Sequence, residues 1–231
     1  DPAMSLCQLD HLTLVAPDLA AGADVVSRWL GVPLQPGGEH PRMGTHNRLM
    51  NLASPAHPRA YLEIIAINPG ATTALPMGSK RWFDMDSAAL QAQVAQHGPQ
   101  LIHWVASVPN VAERCAALSG LDIDRGPVLA ASRPTPNGLL QWQITVRDDG
   151  LRLMDGCLPT LIEWGAQHPC DTLPASGVHL QALALQHPQA PTLATACRAL
   201  GLDGQVAVQP GTPPCLRAAL ATPHGLVTLT S

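Results

Sequence analysis

Apolar and polar positions alternate in short stretches along the chain, and three of these stretches share one phrase. Leu9-Asp10-His11-Leu12-Thr13-Leu14-Val15 sets Leu12 and Leu14 on one face of a strand and His11 and Thr13 on the other. The phrase returns as Leu101-Ile102-His103-Trp104-Val105-Ala106 and as Gly177-Val178-His179-Leu180-Gln181-Ala182. A further apolar strand follows each at a distance: Tyr61-Leu62-Glu63-Ile64-Ile65, Leu161-Ile162-Glu163-Trp164 and Leu226-Val227-Thr228-Leu229. Between the two phrases lies a helical stripe. Leu19, Ala23, Val26 and Leu30 follow Asp18 as N-cap; Val111, Cys115 and Leu118 follow Asn110, with Glu113 completing a capping box. A third helix is expected around Thr192 to Leu200, and Gly31, Gly120 and Gly201 stand as the stops.

These periods predict an α+β fold of repeated βαβββ modules, forming a curved mixed sheet around a cavity. Module 1 spans 9–67 and module 2 spans 101–165, joined by a connector over 68–100 with a short helix from Ser87 to His97. A third, βαβββ-like C-terminal module spans 177–231 and is expected to cap the pair or to supply a homodimer surface. Residues 1–8 are a lead-in, with Asp1-Pro2-Ala3 ahead of Met4 reading as a cloning remnant.

Composition narrows the function classes. The 231 residues are 46% hydrophobic and 13% charged with net charge −4, enough to bury a sizeable core. Mild acidity without Lys/Arg runs argues against nucleic acid or an anionic membrane as partner and leaves a small molecule. No apolar run has membrane-span length, and no secretory leader is visible. The six cysteines show no Cys-x-x-Cys spacing. They are expected to be reduced, packed thiols in a cytoplasmic protein.

Chemistry enters through the recurring histidines. If the helices cover the face carrying Leu12 and Leu14, His11 and His103 point the other way. With first and last strands as neighbours, Glu63 lies beside His11 and Glu163 beside His103. Two imidazoles and two carboxylates converging on one point suit Zn²⁺, Ni²⁺, Mn²⁺ or Fe²⁺. His179 meets Thr228 instead of a carboxylate and is read as structural. Gly37, Gly38 and Gly44 permit positive φ, which makes 37–47 a bend. His40, Arg42, His46 and Asn47 either serve that bend or line the cavity mouth and bind a carboxylate or phosphate. His46 is the substitute ligand should His103 not face the cavity. Trp142 is expected to pack under a helix, which turns Gln141 and Gln143 toward substrate. Arg81-Trp82-Phe83 reads as a surface-anchored loop, with a lid as the alternative.

The βαβββ duplication, with His near the start of each module and Glu in its last strand, resembles the vicinal oxygen chelate superfamily. The stretches Gly37-Gly38-Glu39-His40-Pro41-Arg42-Met43-Gly44-Thr45-His46-Asn47-Arg48-Leu49 and Tyr61-Leu62-Glu63-Ile64-Ile65-Ala66-Ile67 resemble its glyoxalase-like branch. The likeness covers roughly Leu9 to Trp164. It implies metal ligands at His11, Glu63, His103 and Glu163, a set similar to that of bacterial glyoxalase I. It also implies a divalent metal that chelates a small oxygenated substrate and stabilises an enediolate, with Glu163, or else Glu63, shuttling the proton. The activity implied is that of a lyase or isomerase. The alternatives on the same fold are a non-catalytic, resistance-type binding protein and an extradiol dioxygenase.

Overall fold

The computed structural model describes residues 7–231, so most of the expected lead-in lies outside the described residues. The first unit runs β1 (Gln8–Val15), α1 (Leu19–Leu30), β2 (Gln35–His40), β3 (Thr45–Asn51) and β4 (Tyr61–Ile67). A connector carries α2 (Ala88–His97). The second unit runs β5 (Gln100–Ser107), α3 (Val111–Ser119), β6 (Val128–Thr135), β7 (Gly138–Thr145) and β8 (Thr160–Trp164). The third runs β9 (His179–His187), α4 (Ala190–Ala199), β10 (Ala207–Pro210), β11 (Cys215–Thr222) and β12 (Gly225–Thr230).

Local chemistry sets the helix ends. The Asp18 carboxylate accepts from Ala21 N at 2.8 Å, and Gly31 ends α1 in the left-handed region at φ 77°. Asn110 accepts from Glu113 N at 3.2 Å at the start of α3. Leu19, Ala23, Val26 and Leu30 are buried, as the stripe requires.

The first two units form one eight-stranded sheet in the order β2-β3-β4-β1-β5-β8-β7-β6. Within each unit the first and last strands are parallel neighbours, β1 with β4 and β5 with β8. The two units meet through antiparallel β1 and β5. The sheet curls, and its concave side holds the polar residues of β1, β3 and β4.

The third unit has the expected element order but pairs its strands differently, as β10-β9-β11-β12. Strands β9 and β10 are joined through α4 as parallel neighbours, and β12 lies at the edge beside β11. It is therefore not a third copy of the half-sheet. It backs the convex side: Leu180, Leu183, Leu216 and Leu220 share one core with Leu9, Leu12, Leu14 and Trp104. Full burial of each such leucine contributes roughly 1.5–3 kcal/mol.

On the concave side the connector brings Trp82 and Phe83 over the sheet, ring centroids 5.0 Å apart and stacked. Phe83 and Asp84 hold positive φ of 58° and 56°. Such backbone costs on the order of 1–3 kcal/mol per residue and persists only where neighbours enforce it. Here Asp84 N donates to Gly150 O at 2.8 Å, and Arg152 Nε donates to the Asp84 carboxylate at 2.8 Å. No helix among the described residues is long and apolar enough to cross a membrane.

Candidate functional site

Strand β1 departs from simple alternation at its N-terminal half. Its register against β5 slips between Leu9 and His11, so Asp10 is the extra residue of a bulge. The bulge lets adjacent side chains meet: Asp10 Oδ2 lies 2.7 Å from His11 Nδ1. The other oxygen, Asp10 Oδ1, accepts from Trp164 Nε1 at 3.0 Å and from His168 Nε2 at 2.8 Å. Cys170 N donates to His168 Nδ1, which fixes the proton of that ring on Nε2. Burial alone would raise the Asp10 carboxyl; His168 and His11, by charge and hydrogen bond, hold it well below the usual carboxylate range. An ionised Asp10 only accepts, so His11 donates Nδ1–H to it. Nε2 of His11 then faces the cavity, toward Glu63. Tyr61 stacks on the His11 ring at 4.5 Å and fixes its plane.

Glu63 comes to the same place from β4. Its Oε1 lies 3.7 Å from His11 Nε2 and accepts from Thr13 Oγ1 at 3.3 Å; its Oε2 accepts from Asn47 Nδ2 at 2.7 Å. Asn47 Oδ1 in turn accepts from Gly38 N at 2.8 Å. The same Asn47 amide approaches His40 Nε2 at 3.3 Å, while His40 Nδ1 lies 2.9 Å from Thr45 Oγ1. Burial pulls the His40 imidazole down to about 4, so it is neutral at physiological pH. Gly37 and Gly38 do not hold positive φ, contrary to the bend expected there. They serve close approach instead. A Cβ on Gly37 would stand 2.1 Å from Asn47 Oδ1, and one on Gly38 2.7 Å from Arg133 Nη1. Arg133, across the cavity on β6, reaches this edge and donates Nη1–H to Gly37 O at 3.3 Å.

The cavity is one-sided. His11, His40, Asn47, Tyr61 and Glu63 line its first-unit wall, whereas Leu140, Trp142, Ile144, Ile162 and Trp164 line the second-unit wall. Trp82 and Phe83 lie between them, and Arg133 is the cation of the lining. The free space, counted to its open mouth, is about 470 Å³. That suits a small ligand and no more.

The residues expected to form a four-donor metal set are not brought together. His11 and Glu63 converge. His103 lies on the concave side beside Thr13, but its Nδ1 is 2.8 Å from Gly156 O and its Nε2 is 2.9 Å from Thr160 Oγ1. Burial holds its imidazole well below the ordinary value, and Phe83 lies against it. Glu163 is on the opposite face. Its Oε1 accepts from Val111 N at 2.8 Å, capping α3. The two helix starts, Pro17-Asp18 and Pro109-Asn110, make His103 the counterpart of His11. Glu63 stands opposite Thr13 in the first unit, and in the second Thr160 stands opposite Val105. So Thr160, not Glu163, takes the place of Glu63. Asn47 engages His40 and Glu63 Oε2 and Thr13 engages Glu63 Oε1, so His11 Nε2 and the Glu63 carboxylate are the two donors that converge on the cavity. Two protein donors fall short of the three or four that hold a catalytic divalent ion. No group of three or more His, Cys, Asp or Glu among the described residues has metal-holding spacing. The residues present do not fit the expected metal.

Other placements differ from expectation. His46 alternates with Asn47 on β3 and faces away from the cavity, so it does not substitute for His103. Arg42 lines an adjoining groove beyond His40 and Trp82. Trp142 lines the cavity, and Gln141 and Gln143 are exposed on the other face, the reverse of the expected arrangement. Trp82 and Phe83 form part of the cavity wall, while Arg81 is the anchor, donating to Met43 O at 2.8 Å and to Asp86 at 2.7 Å. Asp10, His168 and Arg133 were not expected. Only the adjacency of Asp10 and His11 hinted at the first, and strand alternation argued against it.

Comparison with known proteins gives the following. A family model described as a glyoxalase-like domain matches residues 9–201. No curated protein matches the chain. Among solved structures, the chain is similar to a hypothetical protein from Staphylococcus aureus, with TM-score 0.56 and 13% identity over 97% of this chain and 85% of that one. The likeness is one of fold. A methylmalonyl-CoA epimerase from Mycobacterium tuberculosis aligns with TM-score 0.39 and 16% identity over 69% of this chain and 89% of that one.

Proposed function

The chain belongs to the glyoxalase-like domain family, and from that premise we propose that its cavity is the active site of a lyase or isomerase. The substrate is a small oxygenated molecule bearing an acidic C–H beside a carbonyl and an anionic group. The carrying observation is the pairing of His11 Nε2 with Glu63 Oε1 at 3.7 Å, each held by its own partners. Asp10 keeps Nε2 of His11 toward the ligand, and Thr13 and Asn47 keep the Glu63 carboxylate in place. One of the pair removes the proton and, now carrying it, returns it to the neighbouring oxygen or carbon, an enediolate-type path. Both groups stand on one wall, and the facing wall of Trp142, Ile144, Ile162 and Trp164 carries no base. Proton loss and return therefore occur on one face of the substrate. Arg133 is placed to bind the anionic group, and the apolar wall excludes water from the charged intermediate.

The second reading is a binding protein on the same fold, favoured by the wall of Trp82, Trp142 and Trp164, which suits a planar guest. Incubating the protein in D2O with a panel of small 2-oxo, 2-hydroxy and thioester carboxylates separates the two by proton NMR. Catalysed C–H to C–D exchange, reduced about 10²–10⁴-fold in Glu63→Gln, supports the enzyme. Ligands that bind without exchange support the binding protein and overturn the enzyme reading.

A further inference from the structure

Three arginines around Trp82 and Phe83 each have an aspartate partner. Arg81 pairs with Asp86 at 2.7 Å, Arg147 with Asp149 at 2.7 Å and Arg152 with Asp84 at 2.8 Å. Arg125 has none. It lies in the loop between α3 and β6, is 4% exposed, and donates Nη2–H to Thr160 Oγ1 at 2.8 Å. Its Nε and Nη1 are buried with no hydrogen-bond partner among the described residues. Burial, with Arg147 nearby, pulls the guanidinium down to about 10, which still leaves it charged at neutral pH. Asp149 and Asp84 act on it through space, but each is engaged by another arginine and neither forms an ion pair with Arg125. A buried charge so weakly countered is an arrangement proteins seldom keep.

The guanidinium borders a small crevice separate from the His11 cavity, lined also by Arg147, Trp82, Phe83, Thr145 and Thr160. The indole N–H of Trp82 is likewise buried without a partner. Thr145 Oγ1 accepts from Leu161 N, so its own O–H is free to donate. The lining thus offers donors and positive charge, and no carboxylate is part of it. The crevice is small, with about 220 Å³ of free space counted to its open mouth. A compact anion suits two adjacent N–H donors in so narrow a crevice.

We propose that this crevice binds one monatomic anion of the halide class, chloride in ordinary solution, as the counter-ion of Arg125. The anion accepts from the free Nε–H and Nη1–H of Arg125, in the crevice walled by Trp82 and Phe83.

Thermal unfolding of the full chain in chloride, bromide and gluconate at one ionic strength tests this, together with anomalous scattering from crystals grown in bromide. The expected result is a Tm higher by about 2–4 °C in the halides, and a bromide peak within hydrogen-bonding distance of Arg125. Arg125→Met, which removes the charge, is expected to lose both effects. Should that variant not fold, the wild-type series and the crystals decide alone. Equal Tm in chloride and gluconate overturns the proposal. So does density at Arg125 without an anomalous signal, which identifies water, or a bromide peak that survives in Arg125→Met.

Discussion

Replacing Asp10 with Asn is the sharpest perturbation of the buried network. The carboxylate is fully buried and accepts from His11, His168 and Trp164. The asparagine oxygen can keep Trp164 and His168, but its NH₂ then faces His11 Nδ1, where a donor meets a donor. Losing charge-assisted hydrogen bonds in a dry interior costs about 3 kcal/mol. For a chain of this size that is a fall of about 6–12 °C in Tm. His11 escapes the clash by giving up Nδ1–H and carrying its proton on Nε2. The pH dependence has a definite sign. The folded Asp10 pKa is depressed, so its contribution is complete above the unfolded value of about 3.9 and is lost as pH falls through the folded value. Urea unfolding of wild type and Asp10→Asn should therefore show the full gap at pH 7 and a narrowing gap below about pH 4. Nitrogen-15 NMR should report Nδ1–H for His11 in the wild type and Nε2–H in the variant. A variant within about 0.5 kcal/mol of wild type at pH 7, or an unchanged His11 tautomer, refutes this reasoning.

Three further outcomes are expected. Glu163→Ala should lose about 1 kcal/mol in urea unfolding, because its carboxylate caps α3, and should leave ligand affinity in calorimetry unchanged. Stability should fall as pH drops from about 6.5 toward 4, because unfolded His40 takes a proton that the folded site refuses until about 4. Buried His103 acts in the same direction, so the urea midpoint at pH 4.5 should lie below that at pH 7, and His40→Gln should flatten the slope. Gly37→Ala should cost about 1–3 kcal/mol and weaken ligand binding with it, because the new methyl group displaces Asn47 from Glu63.

Much of this architecture is legible in the sequence because it follows from local patterning. The strand phrases, the helix stripes and the matched helix starts at Pro17-Asp18 and Pro109-Asn110 place His11 with Glu63 and align His103 with His11. Glu163 misleads because Leu161-Ile162-Glu163-Trp164 lies in a strand with little alternation, and Ile162 with Trp164 face the cavity. Alternation in Gln141-Trp142-Gln143 is plain, but its direction is not, since an indole serves a cavity wall as well as a core. Asp10 is hidden by a bulge that no residue type announces. The third unit repeats the element order, yet strand pairing depends on long-range contacts that local patterns do not encode.

Glu63→Gln and Glu163→Gln, compared on whichever carboxylate exchanges fastest in D2O, test most directly which glutamate serves the cavity. The expected result is a fall in kcat/KM of about 10²–10⁴-fold for Glu63→Gln, with Glu163→Gln keeping the wild-type rate at a temperature where it is folded. Full activity in Glu63→Gln, or its loss in a folded Glu163→Gln, would contradict the assignment of the reacting carboxylate to the first-unit wall.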